Sequence, residues 1–108
     1  MTVRLVCAAG GESIYNGKKF KDDKDALKLK IDHRGVLGMC NTGKNSNSSQ
    51  FFVALADVNR LTGKHVVFGE MVEGDDVLKL IETCGREPND VEDGKPTYSV
   101  VIADCGVC

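Results

Sequence analysis

Gly35-Val36-Leu37-Gly38-Met39-Cys40-Asn41-Thr42-Gly43-Lys44-Asn45-Ser46-Asn47-Ser48-Ser49-Gln50-Phe51-Phe52 runs from an apolar strand into a loop of glycine, asparagine and serine, then into a second strand opened by Gln50. A loop of this composition presents backbone groups to a guest peptide, with Gln50 and an aromatic ring at its rim. Alternation along the second strand sends Phe51 and Phe52 to opposite faces. Strands are expected at 36–40 and 51–56, and again at 66–68 and 99–104, with turn chemistry between them.

Upstream, a short β-prone run at 3–6 is followed by a turn at Gly10-Gly11. Residues 12–31 are rich in lysine and aspartate and read as a surface excursion anchored by Ile14, Tyr15 and Phe20. Leu27 and Leu29 alternate with Lys28 and Lys30, the period of an edge strand. Downstream, Gly74-Asp75-Asp76 opens the one clear helix. Val77, Leu80 or Ile81, and Cys84 fall on one of its faces, Asp75 and Asp76 suit its dipole, and Gly85 is expected to supply a left-handed cap. Residues 87–96, with two prolines and several acids, read as a loop. The whole is mainly β with one clear helix.

The length of 108 residues suits a single domain spanning 1–108. A formal charge of -2, with basic residues scattered except for Lys18, Lys19, Lys21 and Lys24, is no footprint for nucleic acid. No apolar run approaches the ~20 residues that span a bilayer, and the first ten residues lack a secretory layout, so the expected setting is cytoplasmic, without membrane association. Five cysteines, Cys7, Cys40, Cys84, Cys105 and Cys108, are an odd number at irregular spacing, and reduced thiols are expected. Cys105-Gly106-Val107-Cys108 ends the chain with no second pair and no helix after it to lower a thiol pKa, so it reads as a buried thiol and a frayed terminus. Asn47-Ser48-Ser49 spells a glycosylation acceptor without a secretory signal to deliver it.

Together with Gly63-Lys64-His65-Val66-Val67-Phe68-Gly69, the opening stretch resembles the second half of a cyclophilin, a peptidyl-prolyl cis-trans isomerase. The similarity runs from about residue 10 to 106 and is densest from 35 to 69. It implies that Cys40, Asn41 and Thr42 pair with a proline-containing peptide in extended form, Asn41 through its main chain. It places Gln50 on the substrate backbone, Phe52 under the prolyl ring, and Leu61 and His65 on the pocket wall. Taken singly, Phe52 and Leu61 read as core side chains, His65 as a hydrogen-bonded histidine, and Gln50 as merely polar. Their joint occurrence at the motif's spacing reverses that reading, whereas Phe51 and His33 keep only structural roles.

These residue types suit the task, because a prolyl ring needs an apolar slot and its flanking peptide a few placed donors and acceptors. No metal or cofactor is implied. The barrier is amide resonance, ~18–20 kcal/mol, so catalysis consists of binding the twisted amide better than either planar form. In the family an arginine donates to the prolyl nitrogen. The resemblance places it in an upstream Phe-His-Arg segment followed by Phe-Met-x-Gln and Gly-Gly-Asp, none of which is found before Gly10, and Arg4, Arg34, Arg60 and Arg86 stand in other contexts. Arg60 also replaces a family tryptophan, which implies weak or no cyclosporin binding.

The resemblance therefore implies an N-terminally truncated, partial cyclophilin-like antiparallel β-barrel with no catalytic residue of its own. The expected function is prolyl isomerisation in protein folding, weak or absent in these residues. Two alternatives stand beside it: a non-catalytic module that binds proline-containing peptides, and a truncated product that needs a partner chain. An open barrel is also expected to be marginally stable, or to cover its edges by self-association or docking.

Overall fold

A computed structural model describes residues 10–85 and 98–107. The expected strand at 3–6, the loop at 87–96, Arg4, Arg86, Cys7 and Cys108 lie outside the described residues. Three antiparallel strands form the sheet: β1 (Val36–Met39), β2 (Phe51–Val53) and β3 (Val67–Glu70), in the order β2-β1-β3. Among the described residues the sheet is not closed, and β2 and β3 are its edges. The single α-helix, α1, covers Asp75–Thr83.

Register explains how the core and the site come to share one sheet. β1 and β2 pair Leu37 with Val53, Gly38 with Phe52 and Met39 with Phe51. β1 and β3 pair Leu37 with Gly69 but Gly38 with Val67, a bulge that leaves Phe68 unpaired. It resets the alternation, so that Val66 and Val67 are both buried while Phe68 turns outward and meets the exposed Phe51 edge-on, with ring centroids 6.4 Å apart. Phe51 thus points away from Phe52, as alternation requires. Ile31, Val36, Ala54, Val58 and Val67 form the core, with Phe52 and Leu61 packed against it.

Four local expectations are corrected. Leu27 lies in a short 3-10 turn, Ala26–Lys28, and not in an edge strand. The carboxylate of Asp23 accepts from the amides of Asp25 and Ala26 at 3.0 and 2.9 Å, and this side-chain turn overrides the alternation. Residues 99–104 form no strand: Val100, Val101 and Ile102 are exposed, and no described strand offers them a ladder. Of the three expected anchors only Phe20 is partly covered; it bridges to Asn47 and meets Tyr15 edge-on, while Ile14 is exposed. Cys40 is disulfide-bonded, because an odd cysteine count does not exclude one pair, and Cys105 is a free, exposed thiol.

The helix also docks by a different face from the one its apolar stripe suggests. Leu78 is its buried residue, flanked on the same face by Asp75 and Glu82, which hold Arg34. Arg34 Nε donates to Asp75 at 2.7 Å, and Nη1 donates to Glu82 at 3.1 Å and to the Leu55 carbonyl at 3.1 Å. These charge-assisted bonds fix which side of α1 meets the sheet. Val77, Leu80 and Ile81 are left exposed. The left-handed residue is Gly74 at the helix start, with φ 96°, and Cys84 ends the helix in right-handed geometry, so Gly85 is not a left-handed cap.

His33 ties the turn before β1 to the end of β3. Its Nδ1 lies 2.8 Å from Asp32 and its Nε2 2.8 Å from Glu70, and Asp32 first, then Glu70, raises its pKa from the ordinary 6.5. The folded protein therefore holds this proton more tightly than the unfolded chain. The clasp contributes fully below pH 6.5 and is lost as pH rises through the raised folded value. NMR titration of His33 should show a pKa above 6.5 that falls in Asp32→Asn and, less far, in Glu70→Gln. An unchanged titration in both variants would contradict the clasp.

Candidate functional site

Phe52 owes its place to a glycine. A Cβ added at Gly38, directly opposite on β1, would lie 2.4 Å from Phe52 Cζ and 2.8 Å from Cε1, so the ring occupies the space that any other residue would fill. The half-buried ring then meets His65 edge-on, at 5.5 Å between centroids and 89° between planes. His65 is 8% exposed. Its Nδ1 lies 2.9 Å from the Met39 carbonyl, which can only accept, so Nδ1 carries a proton and donates it there. The β1–β3 ladder positions this pair, since the Met39 amide donates to the Val66 carbonyl at 2.8 Å.

Leu61 ends a 3-10 turn, Asn59–Leu61, and is half-buried against the core. Its carbonyl accepts from Lys64 at 3.1 Å, closing the turn that delivers His65. Phe52, Leu61 and His65 thus sit on the same side of β1 as the core, at its margin.

The loop at 41–46 is built from its own side chains. Asn41 Nδ2 donates to the Lys64 carbonyl at 2.8 Å, and Asn41 Oδ1 accepts from the Gly43 amide at 3.3 Å. The Thr42 amide donates to Ser46 Oγ at 2.9 Å, while Lys19 donates to Thr42 Oγ1 at 3.1 Å. With its side chain engaged in this way, Asn41 keeps its main-chain amide and carbonyl unbonded among the described residues. Cys40 is buried and donates its amide to the Gln50 carbonyl at 3.0 Å, which sets Gln50 beside the loop. Cys40, Asn41, Thr42 and Gln50 share a small cavity of about 50 Å³ with Gly10, Lys19, Ser46 and Ser48.

Asn47 is the residue whose importance the sequence did not signal. It is wholly buried, bridges to Phe20, and its Nδ2 donates to the Phe20 carbonyl at 3.2 Å and to Asp22 at 2.8 Å. Asp22 and Asn45 then lock together through reciprocal bonds of 2.9 and 3.0 Å. This knot fastens the 20–22 segment to the site loop. It also withdraws the Asn47-Ser48-Ser49 acceptor from any modifying enzyme in the folded state, since its amide nitrogen has no access to solvent.

Arg34 is held by Asp75 and Glu82 at the helix, and Arg60 is an exposed residue of the turn before Leu61. No helix among the described residues is long and apolar enough to cross a membrane, and no cluster of them has the makings of a metal site.

Comparison with known proteins shows the family and the fold. Residues 5–107 match the family model described as cyclophilin type peptidyl-prolyl cis-trans isomerase/CLD. Among solved structures, the chain is similar to a cyclophilin type peptidyl-prolyl cis-trans isomerase from Cryptosporidium parvum, with 38% identity and a TM-score of 0.75. That match covers 89% of this chain and 57% of the other. A structure of the same Cryptosporidium parvum protein in the presence of dipeptide Ala-Pro matches at 39% identity and a TM-score of 0.68, covering 82% of this chain and 53% of that one. The chain thus spans little more than half the length of the structures it matches.

Proposed function

Because this chain belongs to the cyclophilin type peptidyl-prolyl cis-trans isomerase family, we propose that it binds proline-containing segments of other proteins and serves in their folding. The prolyl ring rests on Phe52 between Leu61 and His65. The flanking peptide pairs in extended form with the main chain at Cys40, Asn41 and Thr42 and meets Gln50. The observation that carries this reading is the Phe52–His65 edge contact over Gly38 beside an Asn41 whose side chain is tied down and whose main-chain groups are open. An apolar slot next to unpaired backbone is what a prolyl peptide requires.

Isomerisation needs no proton transfer, only preferential binding of the twisted amide, and the pocket's rigid rings are suited to gripping the prolyl side while the loop holds the peptide chain. Donation to the prolyl nitrogen is the part with no candidate among the described residues. For this reason we place weak or absent turnover beside peptide binding, and a non-catalytic binding module is the second reading. Arg60 in place of an aromatic surface supports weak or absent cyclosporin binding as well. The exposed apolar side chains of α1 and of residues 100–102 support association with another chain, a second copy included.

Titrating an Ala-Pro tetrapeptide into isotopically labelled protein tests the pocket. Shifts should concentrate on Asn41, Gln50, Phe52 and His65. Phe52→Ala should weaken binding about tenfold, the effect of losing roughly 50 Å² of apolar contact at ~25 cal/mol per Å². Light scattering on the same samples reads association. Shifts that avoid these residues, or none at millimolar peptide, would refute the pocket.

A further inference from the structure

Asn41 and His65 border a second, wider groove of about 520 Å³ with a largely apolar floor, on which Lys24, Lys44 and Lys64 converge from three separate segments beside Leu27. All three lysines are exposed. None of them makes a salt bridge or a side-chain hydrogen bond among the described residues, whereas Lys28 is paired with Asp25 and Lys79 with Asp75. The one carboxylate lining the groove, Asp22, is engaged inward, accepting from the Asn45 amide at 3.0 Å and from Asn47 Nδ2 at 2.8 Å. The chain carries a formal charge of -2, so this basic rim opposes the overall balance.

The groove is also open to a backbone. Apart from their own chain neighbours, nothing lies within 4 Å of where a Cβ at Gly43 or Gly63 would stand, so a peptide can pass close to both loops. The groove shares His65 with the proposed wall of the proline pocket and Asn41 with the segment proposed to pair with the flanking peptide, so a chain leaving the pocket past His65 enters among the lysines. Resting on the proline-peptide reading, we infer that the groove receives acidic residues flanking the proline, so that this chain selects proline segments with Asp or Glu within a few residues. Ammonium groups on long stems reach carboxylates at varied positions, which gives a preference by charge and not a fixed sequence motif.

The test compares three peptides by calorimetry and NMR: Ala-Pro flanked by glutamates, the same with glutamines, and the glutamate peptide with alanine for proline. At low ionic strength the glutamate peptide should bind about three- to tenfold more tightly than the glutamine peptide, as expected for two or three exposed ion pairs. High salt should erase that gain. The double variant Lys24→Glu, Lys44→Glu should abolish the preference, while Lys30→Gln, outside the groove, should keep it. Equal affinities for the glutamate and glutamine peptides, with shifts still at Phe52 and His65, would overturn the acidic preference and leave the proline pocket standing. Equal binding of the peptide without proline, with shifts confined to the groove, would overturn the pocket and the coupling inferred here. Failure of every proline peptide to shift Phe52 or His65 would overturn both.

Discussion

Assayed alone on an Ala-Pro or Gly-Pro peptide, this 108-residue chain is expected to accelerate prolyl isomerisation at least about a hundredfold less than a cyclophilin that carries the family's arginine. The amide barrier of ~18–20 kcal/mol falls when a donor to the prolyl nitrogen weakens the resonance. Preorganised donors of this kind contribute about 2.7–4 kcal/mol at other sites. Arg34 is committed to Asp75 and Glu82 at the helix. His65 points its Nδ1 proton at the Met39 carbonyl, so it is no substitute from that nitrogen. Gln50 is an amide, which is a weaker donor than a cation. A protease-coupled assay or NMR exchange spectroscopy measures the rate. Turnover close to that of an arginine-bearing relative, abolished by Gln50→Ala or His65→Ala, would show that this site finds its catalytic power elsewhere.

How far the sequence disclosed this molecule depended on the range of the interactions concerned. β1, β2 and the Asn/Ser loop were legible because alternation, turn residues and the long motif all point one way. α1 was legible as a helix, but its orientation was not. Its apolar stripe of Val77, Leu80 or Ile81, and Cys84 pointed to one face, while the contact that decides the matter joins Arg34 to Asp75 and Glu82 across 41 and 48 residues. The 3-10 turn at Leu27 escaped because a side-chain turn from Asp23 and a strand alternation are both compatible with the same residues. Residues 99–104 have strand composition, yet a strand exists only with a partner.

The candidate site divides in the same way. The family resemblance named Gln50, Phe52, Leu61 and His65, and the structure brings Phe52 and His65 into ring contact. What the resemblance could not supply is the reason the rings meet there, namely the missing side chain at Gly38 and the β3 bulge at Phe68. Asn47 was hidden because an asparagine in a polar loop ordinarily faces water. The one available signal was its place among so many turn residues next to the site loop, and that does not distinguish a buried knot from a solvated turn.

Replacing Ile31 by alanine is expected to destabilise the chain by about 2–5 kcal/mol, the range for removing a buried aliphatic side chain and leaving a cavity. Ile31 is fully buried, and the core around it consists of small or β-branched residues, Val36, Ala54, Val58 and Val67, which have little freedom to collapse inward. Its backbone is held from both sides, its amide donating to Thr62 Oγ1 and its carbonyl accepting from Val58, each at 3.0 Å. Relaxation toward the void is therefore restricted. Domains of this size are stable by roughly 0.05–0.15 kcal/mol per residue, so the loss is a large fraction of what holds the fold. Phe52 and Leu61 pack against this cluster, and peptide binding should weaken along with stability although Ile31 touches no peptide. Urea unfolding measures the change. The control is Leu29→Ala, an exposed position expected to fall within about 0.5 kcal/mol of the parent. Should Ile31→Ala prove equally mild, the cluster would not be the centre of the fold, and the pocket's rigidity would have to come from the hydrogen-bonded loops instead.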